Sequence, residues 1–355
     1  MKALIDKLEK YHILTKQELV TLISNRDPEM DQYLFAKAVA VRHKVFGKDI
    51  YIRGLIELTN YCKNDCFYCG IRKNNRNIER YRLTGEQILE CCQTGYELGF
   101  RTFVLQGGED PYFTDDRLCT MISTIKSRYP DCALTLSLGE KSHASYQAYH
   151  NAGADRYLLR HETADETHYN KLHPPSLSYS NRKQCLYDLK EIGFQVGCGI
   201  MVGSPYQTAE CLAEDILFMH EFDPEMVGIG PFIPHHDTPF ANEPAGTLEM
   251  TRFMLGLVRL VLPHALLPST TALGTIHPQG RKLGIMAGAN VVMPNLSPLE
   301  VRKKYLLYDN KICTEDEAVE GFHELQRKID KIGYHIVVDR GDYKNGINNC
   351  LINFY

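Results

Sequence analysis

Three cysteines stand in one short run, Thr59-Asn60-Tyr61-Cys62-Lys63-Asn64-Asp65-Cys66-Phe67-Tyr68-Cys69-Gly70. Thiolates at this C-x3-C-x2-C spacing can wrap three corners of a 4Fe–4S cubane. The fourth iron is then open to the amino and carboxylate groups of a small molecule. Soft thiolates also suit zinc, but a structural zinc site wants a fourth Cys or His. The next cysteine, Cys91, falls in a helix-period segment. A redox C-x2-C pair leaves Cys62 without a role. The spacing favours an open iron–sulfur cluster, and a non-catalytic zinc or iron–sulfur module is the competing reading.

Further polar groups stand at the ends of apolar runs. In Gln106-Gly107-Gly108-Glu109-Asp110-Pro111, paired glycines let backbone approach a ligand; the same pair also makes a plain turn. Arg156, Arg160, His161 and Glu162 close a run whose charges are expensive if buried unpaired. Strand alternation places 156, 160 and 162 on one face, where they either pair internally or bind hydroxyls and carboxylates. Arg182 is a second carboxylate candidate, and Ser137 a weaker polar contact. Thr270 and Thr271 either hold an anion or cap a helix. Met293 and Tyr305 are candidate cavity walls. His235-His236-Asp237 resembles a metal set, but adjacent side chains on an extended segment are expected to point opposite ways.

These groups need a scaffold. The first 50 residues read as helices, with Thr15 and Glu18 forming a capping box and a break from Asn25 to Pro28. Strand-like runs then start near 52, 102, 133, 156, 195, 226, 265 and 290. Helix-period segments alternate with them at Gly85–Leu98, Arg117–Arg128, Ser180–Ile192, Thr208–Phe222 and Leu248–Val261. Short apolar runs of this kind suit parallel strands covered on both faces. The expectation is a complete (β/α)8 TIM-type barrel over 51–342, with an N-terminal helical extension at 1–50 and a tail at 343–355; an open doubly wound sheet is the alternative. The cysteines then fall on the first βα loop, at the face where barrels do chemistry.

Composition narrows the function. With 44% hydrophobic and 24% charged residues in 355, the chain is a folded globular protein. A net charge of −4 provides no basic field for nucleic acid, and Arg302, Lys303 and Lys304 read as a solvated helix end. No run approaches the ~18–20 apolar residues of a membrane span, and no signal-peptide core is seen, so a cytoplasmic location is expected. Twelve cysteines without an export signal argue against disulfides. Cys91, Cys92, Cys119, Cys132, Cys185, Cys198 and Cys211 read as core residues.

The motif C-x3-C-x-aromatic-C after a first strand resembles the radical S-adenosylmethionine superfamily. Longer runs, Tyr81-Arg82-Leu83-Thr84, QGGEDPY at 106–112, GCGIMVGSPYQT at 197–208, PFIPHHDTPF at 231–240 and STTALGT at 269–275, resemble the HydE family of FeFe-hydrogenase radical maturases. Biotin synthase and methylornithine synthase are its relatives. The resemblance implies that Cys62, Cys66 and Cys69 hold one 4Fe–4S cluster. It implies S-adenosylmethionine contacts at Tyr68, Gly107, Gly108, Ser137, Arg160, Glu162, Arg182 and Met226. Arg156, Thr270, Thr271, Met293 and Tyr305 would form the substrate end. The implied reaction is reductive cleavage to a 5′-deoxyadenosyl radical, acting on the sulfur of an iron–cysteine complex that carries CO and cyanide. Other hydrogenase maturases and a low-potential electron donor are implied partners. A methylornithine-synthase-like mutase with an amino-acid substrate is the alternative. Many chains of the family carry a second cluster motif, C-x7-C-x2-C. Here it would start at Cys313, but Gly321 and Glu324 replace the other cysteines, so one cluster is expected.

Overall fold

The computed structural model describes residues 1–312 and 318–344. Three helices open the chain: α1 Lys2–Tyr11, α2 Lys16–Ser24 and α3 Pro28–Phe46. The capping box at Thr15 and Glu18 is present, and Asp27 caps α3 ahead of Pro28 at its first turn. These helices share the main apolar core through Ile5, Leu8, Leu22 and Leu34; α2 packs on the helix Ala209–Phe222 and α3 on the helix Leu248–Val261.

Strands and helices then alternate: β1 Asp49–Ile52, β2 Gly54–Thr59, α4 Gly85–Glu97, β3 Thr102–Gly107, α5 Asp115–Arg128, β4 Ala133–Ser137, α6 His143–Asn151, β5 Arg156–Leu158, α7 Glu166–Leu172, α8 Tyr179–Ile192, β6 Gln195–Val202, α9 Ala209–Phe222, β7 Met226–Pro231 and α10 Leu248–Val261. The chain continues with α11 Thr271–Ile276, α12 Gly280–Ile285, β8 Val291–Val292, α13 Leu299–Arg302, α14 Ala318–Asp330 and β9 His335–Val337. Every helix from α2 to α11 begins with a Ser, Thr or Asp side chain accepting a first-turn N–H, which satisfies donors the helix leaves free.

β2 to β7 form a six-stranded parallel sheet in sequence order. A second parallel sheet has the order β8-β1-β9. Single bridges join the two sheets: Met226 to Leu266, Pro268 to Val291, and Leu55 to Asn295. The run from 265, expected as a full strand, pairs only at such points, because Pro268 has no N–H to donate. β1 and β9 were not expected. β6 and β7 are almost wholly buried, as strands covered on both faces must be. Among the described residues, no helix is long and apolar enough to cross a membrane. Cys313, Cys350 and the tail beyond Lys344 lie outside the described residues.

Candidate active site

The cysteine loop leaves the C-terminal end of β2 and is held from several sides. The N–H of Lys63 donates to the Glu109 carbonyl, that of Phe67 to the Leu172 carbonyl, and that of Gly70 to the Leu307 carbonyl. The Arg80 guanidinium donates to the carbonyls of Asn60, Ile71, Arg72 and Asn75, stitching the loop to the segment that follows it. Two glycines give clearance. A Cβ at Gly108 would stand 2.2 Å from the Tyr61 carbonyl oxygen and 2.8 Å from the Cys62 Cβ; one at Gly70 would stand 2.2 Å from the Leu306 carbonyl oxygen. Gly108 therefore lets the β3 loop close against the cysteines, while Gly107 packs on Thr59, where a Cβ would stand 3.1 Å from Cγ2.

Cys62, Cys66 and Cys69 are unpaired and partly buried. Burial pushes all three thiols up, Cys66 far and Cys69 to about 12. A thiolate there needs a cation beside it, as a cluster's iron would be. Donor spacing bears on which metal. Among the described residues, the Cys/His/Asp/Glu trio whose donor atoms all lie within 4.8 Å is His235, His236 and Asp309. Cys62, Cys66 and Cys69 are not such a trio, so their sulfurs are not gathered as closely as the ligands of one ion.

Around this loop stand the other expected residues. Ser137 ends β4. Arg160 and Glu162 follow β5 and form an ion pair at 3.2 Å, yet Arg160 Nε and Nη2 and Glu162 Oε2 are buried without an aligned hydrogen bond. Glu162 has φ of +67°, uncommon for a residue with a side chain. Its N–H donates to the Gly199 carbonyl. Behind it, Asp215 accepts from the Ala164 N–H and lies 3.4 Å from His161 Nε2. Because β5 ends at Leu158, the expected alternation of 156, 160 and 162 does not hold. Arg182 lies on α8, buried, with Nε 2.7 Å from Glu140 Oε1 but poorly aligned. The Tyr68 hydroxyl donates to His173 Nε2 at 3.1 Å. Burial drives His173 down to about 3, so the ring stays neutral. Unsatisfied charged atoms facing a cysteine loop fit an amino-acid carboxylate, an amine and ribose hydroxyls. The residues present therefore suit S-adenosylmethionine and a three-cysteine cluster.

Thr270, Thr271 and Tyr305 also lie on this side. Thr270 caps α11, and Thr271 Oγ1 accepts from Arg281. Tyr305 is buried and its hydroxyl accepts weakly from Gln106. Beside it, Glu57 accepts from Lys311 at 2.5 Å and from Asn295 at 2.9 Å, a buried set the sequence did not announce.

Other expected residues stand elsewhere. Arg156 opens β5 at the opposite end of the sheet. It donates to Gln195, Thr102, the Arg340 carbonyl and Asp342, so each guanidinium nitrogen is engaged. Met226 opens β7 at that same end, its sulfur 2.7 Å from Arg53, and Met293 packs against the apolar cluster that holds it. Arg53 is 6% exposed and keeps Nε and Nη2 without partners; its sequence signal was one charge before an apolar run. His235 and His236 do not point apart: their rings stack at 4.4 Å, and His236 Nδ1 binds Asp309. Asp309 Oδ1 stands 2.7 Å from His236 Nδ1 and 3.9 Å from His235 Nε2, which brings one donor atom of each residue within 4.8 Å of the others. Arg302 is buried and donates to the Ser297 carbonyl, so it is not a solvated end.

Residues 56–219 match the Radical SAM superfamily. The chain is 43% identical to the [FeFe] hydrogenase maturase subunit HydE of Thermotoga maritima, over 94% of each chain. It is 30% identical to a 3-methylornithine synthase of Methanosarcina barkeri, over 88% of this chain and 89% of that one. The crystal structure of methylornithine synthase (PylB) superposes with a TM-score of 0.82 at 28% identity, covering 94% of this chain and 97% of the other.

Proposed function

The chain belongs to the radical SAM superfamily, in the family of HydE-type maturases, and from this premise we propose that it is a radical enzyme of FeFe-hydrogenase active-site assembly. When bound and reduced, a 4Fe–4S cluster with an open iron would supply the electron for cleavage of S-adenosylmethionine into methionine and a 5′-deoxyadenosyl radical. The substrate of that radical is the sulfur of an iron–cysteine complex carrying CO and cyanide. Cys62, Cys66 and Cys69 hold the cluster. Gly107 and Gly108 present backbone to the amino group, Arg182 takes the carboxylate, Arg160 and Glu162 take ribose, with Ser137 beside them, and Tyr68 orients adenine. Thr270, Thr271 and Tyr305 face the substrate.

The observation that carries this reading is the meeting of a three-cysteine loop with the incompletely bonded pairs Arg160–Glu162 and Arg182–Glu140 at one end of the sheet. We further read the bridges at Leu266, Pro268 and Asn295 as closing residues 51–342 into a complete (β/α)8 barrel, with 1–50 as its helical extension. A cytoplasmic setting, an electron donor of low potential and other hydrogenase maturases as partners follow from the same assignment. The unpaired state of all ten described cysteines agrees with a reducing compartment.

Anaerobic reconstitution, reduction and assay for 5′-deoxyadenosine test the chemistry. Product is expected; none from a cluster-loaded protein, even with the hydrogenase precursor complex present, would overturn the reading. Restoring hydrogenase activity to a strain lacking this maturase tests the pathway. The methylornithine-synthase-like reading draws on the 0.82 superposition, and it gains if cleavage occurs but complementation fails.

A further inference from the structure

The sequence Leu172-His173-Pro174-Pro175 ends α7 abruptly. A residue before proline is pushed out of the helical region, and His173 is extended, with φ −129° and ψ 151°. That turn buries its ring to 1% exposure. There Nδ1 lies 2.9 Å from the carbonyl oxygen of Tyr169, while the Tyr169 ring stacks on the imidazole at 4.0 Å. A carbonyl only accepts, so Nδ1 carries the ring proton. A neutral imidazole then has its lone pair on Nε2, and the Tyr68 hydroxyl must donate to it across 3.1 Å. The two rings meet edge-on, with 5.4 Å between centroids and 87° between planes. The residue before, Leu172, accepts from the Phe67 N–H. The end of α7 thus grips two consecutive residues of the cysteine loop.

We propose that His173 is a positioning residue, fixing the tilt of Tyr68 and, through it, the adenine end of bound S-adenosylmethionine. The proposal rests on the reading above, in which Tyr68 meets adenine. Its distinctive claim is that His173 acts through the Tyr68 hydroxyl alone.

A double-mutant cycle on reconstituted protein, H173F, Y68F and the pair, tests it by equilibrium binding of S-adenosylmethionine. Y68F removes the shared hydrogen bond, and H173F removes it together with the Nδ1–H bond to the Tyr169 carbonyl; each is expected to raise Kd by about 3- to 10-fold. The double variant is expected to match the larger single, with iron content and Tm kept; H173Q, which restores an acceptor, recovers affinity. Effects that multiply, or an H173F protein that binds as well as wild type, would overturn the proposal. If H173F misfolds, Y68F with H173Q still decides: wild-type affinity in Y68F sinks it. Wild-type protein that binds no S-adenosylmethionine would instead sink the reading on which it rests.

Discussion

The start of β5 and the segment just past its end treat the same residue types in opposite ways. At the start of β5, Arg156 is wrapped by Thr102, Gln195, Asp342 and the Arg340 carbonyl, all from this chain. Past the end of β5, Arg160 and Glu162 reach one another but leave three buried polar atoms without aligned partners. One arginine is finished by folding, and the other keeps hydrogen-bonding capacity that folding leaves unused. Burial of a charge is therefore a poor guide to function; whether its hydrogen bonds are complete is the better one.

Substitutions can break or sharpen that contrast. The largest effect is expected at the cysteine end: C66A should lose cluster iron and 5′-deoxyadenosine formation together, and persistence of cleavage would show that the ligand assignment is wrong. Next, E162A should weaken S-adenosylmethionine binding by about 10- to 100-fold, the worth of a hydrogen bond to a charged group, with the urea midpoint unchanged. The mirror experiment is R156M, which should lower folding stability by about 2 kcal/mol in urea titration and leave S-adenosylmethionine affinity as it was. A loss of affinity instead would erase the distinction between the ends.

The smallest effect concerns Asp110. Burial alone would raise its carboxyl, but the Arg82 guanidinium, the Tyr112 N–H and the Thr59 hydroxyl hold it below its ordinary value. A carboxylate depressed by folding adds stability above its unfolded pKa, and loses it as pH falls through the lowered one. D110N should therefore cost about 1 kcal/mol at pH 7, a gap that closes below about pH 4; a thermal-melt series across pH would reveal a constant gap if the carboxylate plays no part.

Helices were legible because their caps are local: Leu248–Val261 falls where periodicity puts it, and Thr15 and Asn25 mark true boundaries. The cysteine loop was legible for the same reason, three cysteines within eight residues. What was not legible depended on contacts far along the chain. Arg156 meets a partner 186 residues away, and no local pattern announces Asp342. The run from 265 has strand composition but only single bridges, because Pro268 interrupts it. Glu162 escaped strand alternation because its backbone turns left-handed. His173 and Asp215 gave no signal, since each matters only through the residue it holds.

The wrapping of Arg156 also sets an order of events. Thr102 and Gln195, which share in it, emerge on either side of the arginine, but the Arg340 carbonyl and Asp342 are made after every strand has been translated. Cys62, Cys66, Cys69, Arg160 and Glu162 are all made before those last two partners, and so is Leu307, whose carbonyl holds Gly70. The base of the molecule is therefore sealed last, like a cap screwed on after the vessel has been shaped.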